Sequence, residues 1–129
     1  MFSDQEQAHI RAALEDLQSA IHANAKNKGW HDEERSFGDD VALIHSELSE
    51  ALEAYRDTGD VTKTWLSWKG PNFDGSVPGK PEGVASEYAD VIIRVLDSAE
   101  ARGIPVIDEL FAKLAFNATR PHRHGGKHL

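Results

Sequence analysis

Two segments forty residues apart share one layout, and that layout constrains the fold more than any other feature of the chain. "IHSELSEALEAY" (44–55) and "VASEYADVIIRV" (84–95) both space apolar residues three and four apart and place acids three apart beside them. Such spacing is helical, because residues three and four apart share one face of a helix. With about 100° per residue and Ile44 set at zero, Leu48, Ala51 and Tyr55 fall within about 40° of it, Glu47 near about 300° and Glu50 near about 240°. Val84 set at zero gives the same picture: Tyr88, Val91 and Val95 form the stripe, with Glu87 and Asp90 at the corresponding margins. Glu53 has no counterpart in the second segment and is expected at the surface.

The rest of the chain also reads as helix. Ser3 and Glu6 form a capping box ahead of Ile10, Leu14, Leu17 and Ile21, with Gly29 as a stop. Asp39 or Asp40 is expected to cap the second helix, which ends near "DTGD". The third stops at Gly103, and Pro105 suits the first turn of a fourth carrying Ile107, Leu110, Phe111 and Leu114. No segment sustains period-two alternation. The expected fold is all-α, a bundle of about four helices in one domain spanning 1–129, with a long Gly/Pro/Trp-containing loop between the two acidic helices. That loop, roughly Val61 to Gly83, is too long for a routine connector. It is expected to hold one short helical turn around Trp65, and Trp65, Trp68 and Phe73 suggest a satellite cluster, a lid or an oligomer contact.

Composition excludes several chemistries. The chain has no cysteine, which removes disulfides, zinc thiolates and thiol catalysis. A formal net charge of −8 argues against a nucleic acid polymer as partner, because duplex affinity comes largely from phosphate neutralisation. No signal peptide or transit sequence is read at the start and no apolar run nears a membrane span, so a cytoplasmic protein without a membrane partner is expected. The charge is uneven: "KLAFNATRPHRHGGKHL" holds Lys113, Arg120, Arg123 and Lys127 and no acid. An acidic body with a basic end suits a small anionic ligand held through a metal on one side and cations on the other.

If the two acidic helices pack face to face, Glu47, Glu50, Glu87 and Asp90 gather at one edge of the core. Uncompensated, they raise one another's pKa values. A hard divalent cation resolves that conflict, and Mg²⁺, with Mn²⁺ as a substitute, prefers carboxylate oxygens. Lys113, Asn117 and Arg120 lie on one face of the fourth helix, where cations can take phosphates or simply complement the helix dipole. "RHGGK" offers Arg123 and Lys127 around a glycine pair. Trp30 and His31, with Phe37 nearby, precede the first acidic helix and are candidates to stack on a base. "GKP" at Gly79–Pro81 lacks the spacing of a P-loop, and His122, His124 and His128 lack metal-ligand spacing.

"ELSE" (47–50) followed by "EYAD" (87–90) resembles the E-x-x-E … E-x-x-D signature of the all-α nucleoside triphosphate pyrophosphatases, the MazG-like superfamily. "KLAFNATRP" resembles the K-x-x-x-N-x-x-R element that follows in that family. The resemblance runs from about Trp30 to Lys127 and is weakest across 61–83. It implies Mg²⁺ on Glu47, Glu50, Glu87 and Asp90 as the catalytic centre, hydrolysis of a nucleoside triphosphate to monophosphate and pyrophosphate, and a homodimer or homotetramer. Ser46 stands where several members carry another Glu, and the gap between the acidic motifs is longer than usual. The alternatives are a hydrolase of another pyrophosphate-linked compound, such as a phosphoribosyl nucleotide, and a weakly catalytic or non-catalytic helical module that binds nucleotides or proteins.

Overall fold

The computed structural model describes residues 1–68, 75 and 78–129. Phe73 lies outside them. The protein is mostly helical, with 69% of the described residues in helix and a small two-stranded sheet among them, an all-α fold of about four helices. The helices are α1 (Asp4–Asn27), α2 (Phe37–Thr58), α3 (Val84–Arg102), α4 (Val106–Thr119) and the short α5 (Arg123–Gly126). No helix among the described residues is long and apolar enough to cross a membrane.

Local chemistry explains where the helices begin and end. Ser3 Oγ accepts from the Glu6 amide while the Glu6 carboxylate accepts from the Ser3 amide, so the expected capping box closes. The second helix is capped differently from the expectation. Ser36 is its N-cap, and Asp39 is the third helical residue that reaches back to the Ser36 amide. Each such cap is worth about 1 kcal/mol. Asp40, the other expected cap, is buried instead, with the Arg35 guanidinium 3.4 Å away. Gly59 ends α2 at a φ of 68°, the left-handed conformation that terminates helices. Pro105 occupies the N-cap of α4 rather than its first turn.

The chain forms two compact units: Met1–Gly29 with Leu96–Leu129, and Trp30–Val95. Helix α3 passes from the second into the first. In the first unit, α1 is tied to the last turns of α3 by His22 Nδ1 at 2.8 Å from Asp97 Oδ1 and by Gln18 Nε2, which donates to Glu100 Oε2 at 2.6 Å. Arg11 joins α1 to α4 through Asp108, and its guanidinium lies 5.1 Å from the centre of the Phe111 ring. Leu96, Ala99 and Ile107 supply the buried apolar side chains there.

In the second unit, the segment between α2 and α3 departs from the expected helical turn. Trp65–Ser67 is a strand, β1, paired antiparallel with β2, Lys80–Glu82, in the register Trp65–Glu82, Leu66–Pro81 and Ser67–Lys80. A tryptophan-rich stretch has strand propensity, which a distant partner can realise but a local pattern does not reveal. The hairpin feeds straight into α3 through Gly83, whose φ of 115° and whose closeness to the Lys63 carbonyl leave no room for a side chain.

The apolar stripes expected to face the core are only partly covered: Ala51 and Val84 are buried and Ile44, Val91 and Val95 half-buried, while other apolar side chains beside them are open. On α2, Leu48, Leu52 and Tyr55 are 45%, 50% and 46% exposed, and on α3 Tyr88 and Ile92 are likewise open. The buried face of α2 is formed by Asp40, Glu47 and Ala51. With Ile44 at zero it is centred near about 320°, turned about 40° from the expected stripe toward the acids. Within the unit, the inward-turned Glu47 is bonded by Arg94 of α3.

Candidate metal centre

Three carboxylates converge between α2 and α3. One oxygen from each of Glu47, Glu50 and Glu87 lies within 4.8 Å of the others. Glu47 and Glu50 project from successive turns of α2, as their three-residue spacing requires. Glu87 comes from the first turn of α3, whose start is secured by the Glu87 amide donating to the Gly83 carbonyl at 3.2 Å. Glu47 and Glu87 are each only 7% exposed, while Glu50 is open to solvent.

Asp90, the fourth acid of the pattern, is half-buried and stands outside this tight trio. It is still close enough for electrostatic influence. Burial first, and the Glu47 charge next, push its carboxyl above the usual range, while Arg94 and Lys80 pull the other way.

Arg94 Nε donates to Glu47 Oε1 at 2.6 Å. Burial pushes the Glu47 carboxyl up. The Arg94 bond and charge, with hydrogen bonds from Glu50 and Glu87, outweigh that and leave it below its ordinary value. Among the described residues no ion pair joins Glu87 to a cation. Burial and then the neighbouring Glu50, Asp90 and Glu47 charges raise its carboxyl to about 7. Its Oε2 is buried with no hydrogen-bond partner among the described residues. A buried acceptor left without a donor is costly, and a hard cation among these oxygens would satisfy it. Three converging carboxylates, one orphaned oxygen and an oxygen-only donor set fit Mg²⁺ or Mn²⁺.

Ser46 points away from this chemistry: its hydroxyl donates to the Leu43 carbonyl of its own helix at 2.7 Å. Glu53 is at the surface beside Arg56, 3.7 Å away. Trp30 is 62% exposed and His31 half-buried, both in the turn between α1 and α2.

The basic residues belong to the first unit. Lys113 and Asn117 are exposed on α4, and Arg120 caps its C-terminus, its amide donating to the Asn117 carbonyl. Lys113 and Arg120 share a platform that sequence inspection missed. Their cationic groups lie 5.7 and 5.6 Å from the centre of the Phe116 ring. The signal was present in "KLAFNATR", because a residue three after Lys113 and four before Arg120 meets both on a helix. Arg123 and Lys127 flank a turn in which Arg123, His124, Gly125 and Gly126 all have positive φ. The Lys127 amide closes it onto the Arg123 carbonyl at 2.9 Å.

Compared with known proteins, this chain matches no protein-family model, no curated protein and no solved structure.

Proposed function

We propose that the protein is a Mg²⁺-dependent nucleoside triphosphate pyrophosphohydrolase that converts a (d)NTP and water to the monophosphate and pyrophosphate, in keeping with nucleotide-pool cleaning. The observation that carries this reading is the Glu47–Glu50–Glu87 trio with its orphaned buried oxygen. The motif resemblance of these acids to the MazG-like superfamily supplies the reaction class.

Glu47, Glu50 and Glu87 would hold the ion, with Asp90 completing the set as the resemblance implies. When bound, the ion supplies charge neutralisation at the phosphoryl oxygens, where negative charge builds up as the α-phosphorus is attacked. The chain's own residues do the rest. Arg94 keeps Glu47 ionised and fixes its orientation. One carboxylate of the set would orient the attacking water and take up its proton. The resemblance assigns phosphate oxygens to Lys113, Asn117 and Arg120, with Arg123 and Lys127 beside them. Two cations held over one ring support an anion-binding role for that end of α4. Trp30 and His31 are the aromatic candidates for the base.

The protein acts as a homo-oligomer in this reading. The exposed stripe of Leu48, Leu52 and Tyr55 on α2 supports it, since apolar rows of this length on a helix are ordinarily covered.

The deciding experiment is a panel of canonical and modified NTPs and dNTPs incubated with Mg²⁺, with the products separated by chromatography. Monophosphate plus pyrophosphate, abolished by EDTA, is the expected result. Orthophosphate as the first product, or no turnover across the panel, would overturn the reaction and favour another pyrophosphate-linked substrate or a binding module.

A further inference from the structure

We propose that the C-terminal turn α5 builds a metal-independent anion site in which Arg123, His124, Lys127 and His128 together grip an oligophosphate chain. The site shares Arg123 and Lys127 with the nucleotide reading above, but it needs neither the carboxylate trio nor an ion and rests on a different observation. It gives His124 and His128, which lack metal-ligand spacing, a role as donors to phosphate oxygens.

The backbone of α5 is one left-handed turn. Arg123, His124, Gly125 and Gly126 follow one another at φ of 51°, 52°, 93° and 86°. Glycine adopts this region freely, but the β-carbons of Arg123 and His124 disfavour it. Hydrogen bonds within the turn hold it. The His124 amide donates to the Pro121 carbonyl at 2.8 Å, and the Gly125 and Gly126 amides donate to the His122 carbonyl at 3.2 and 3.3 Å. With the Lys127 amide on the Arg123 carbonyl, the backbone donors from 124 to 127 are all spent. An anion here therefore meets side chains and not a nest of N–H groups. Sparsely populated backbone conformations of this kind concentrate at ligand clamps.

The turn gathers its side chains around one space. Arg123, His124, Lys127 and His128, with Leu129, line a cavity of about 790 Å³, the size of a small-molecule site and more than one phosphate fills. The four polar side chains are exposed, and among the described residues none of them makes a hydrogen bond or an ion pair. No aspartate or glutamate lies between Leu110 and Leu129, although the chain as a whole carries a net charge of −8. Two fixed cations and two imidazoles around one cavity, with no acidic side chain in its lining, attract an anion. Arginine brings a planar fork, lysine a mobile point charge, and an imidazole an N–H donor in either protonation state. Such donors spread around a cavity of this size suit several phosphates in a row.

Nuclear magnetic resonance of the imidazoles tests the pocket, in EDTA with inorganic tripolyphosphate as the probe. The signals of His124 and His128, assigned by their loss in His124→Gln and His128→Gln, are expected to shift together while those of His9 and His45 hold still. By calorimetry under the same conditions, the affinity of His124→Ala/His128→Ala is expected to fall about tenfold. Gly125→Ala/Gly126→Ala keeps all four side chains, and its new β-carbons meet nothing within 4 Å, so it disturbs only the left-handed backbone. It should weaken binding by a similar factor. Metal-free ATP compares the nucleotide source of a phosphate chain with the inorganic one. Equal affinity marks a pocket that reads phosphates alone, tighter ATP one that also holds the nucleoside, and both uphold the site. Tripolyphosphate that moves neither imidazole overturns the proposal, as does an affinity unchanged in either double variant. The metal-centred reading survives those results, because every titration is run without Mg²⁺.

Discussion

Arg94 on α3 and Glu47 on α2 form a 2.6 Å charge-assisted hydrogen bond in which Glu47 is almost fully buried and Arg94 one-third exposed. The bond fixes one ligand of the candidate centre and at the same time holds α2 to α3. Arg94→Ala leaves Glu47 buried without its cation. A loss of about 1.5–3 kcal/mol in stability is expected, the range for hydrogen bonds to charged groups. Urea unfolding with EDTA present measures it. Arg94→Lys should recover little, because the donor is the guanidinium Nε. A stability unchanged in Arg94→Ala would show the bond to be dispensable.

Glu87 makes the metal-free protein sensitive to pH. Its carboxyl is raised from 4.5 to about 7, so between these values the folded protein holds a proton that the unfolded chain releases. Its contribution to stability is therefore complete below the lower value and is lost as pH rises through the upper one. Asp90, also raised, acts in the same direction. Melting temperature in EDTA should fall from about pH 5 to about pH 8, and Mg²⁺ should reduce the fall by neutralising the cluster. Glu87→Gln should remove most of the pH dependence, add about 0.5–2 kcal/mol near about pH 8, and abolish the Mg²⁺ response. A pH profile identical in parent and variant would sink the assignment of this carboxyl.

Glu50 is exposed, so its role can be tested with little risk to the fold. Glu50→Gln keeps the size of the side chain and removes one anionic ligand. Circular dichroism should remain that of the parent, while nucleotide turnover falls at least about a hundredfold through lost transition-state stabilisation. Unchanged turnover would remove the metal assignment.

Leu52 tests the assembly. It is half-exposed, on the same side of α2 as Leu48 and Tyr55. A charge placed there is cheap in an isolated chain and costly in an apolar interface. Leu52→Glu should lower the solution mass measured by light scattering toward that of one 14.2 kDa chain, with helix content retained. A variant with the parent's mass would place any subunit interface elsewhere.

The sequence by itself determined the helical class and most helix ends, because these depend on short-range chemistry. Apolar spacing, the Ser3–Glu6 box, Gly59 and Gly103 can all be read within a few residues. It also determined which acids are candidates, since a three-residue step puts Glu47 and Glu50 on one side of a helix. The tertiary structure decided what depends on distant partners. Ser36 took the cap expected of Asp39 or Asp40, and Asp40 went inside with Arg35 nearby. Trp65–Ser67 became a strand because Lys80–Glu82 pairs with it. Within one chain the buried side of α2 turned toward its acids, leaving Leu48, Leu52 and Tyr55 open. The clearest case is Glu47 and Glu87, which hold the same place in two matching motifs and are equally buried. Their carboxyls move in opposite directions, Glu47 down and Glu87 up to about 7. The difference among the described residues is one guanidinium: Arg94 bonds Glu47, while an oxygen of Glu87 has no hydrogen-bond partner there. Motif position specifies the residue type, but a carboxylate's charge state depends on what packs against it in three dimensions.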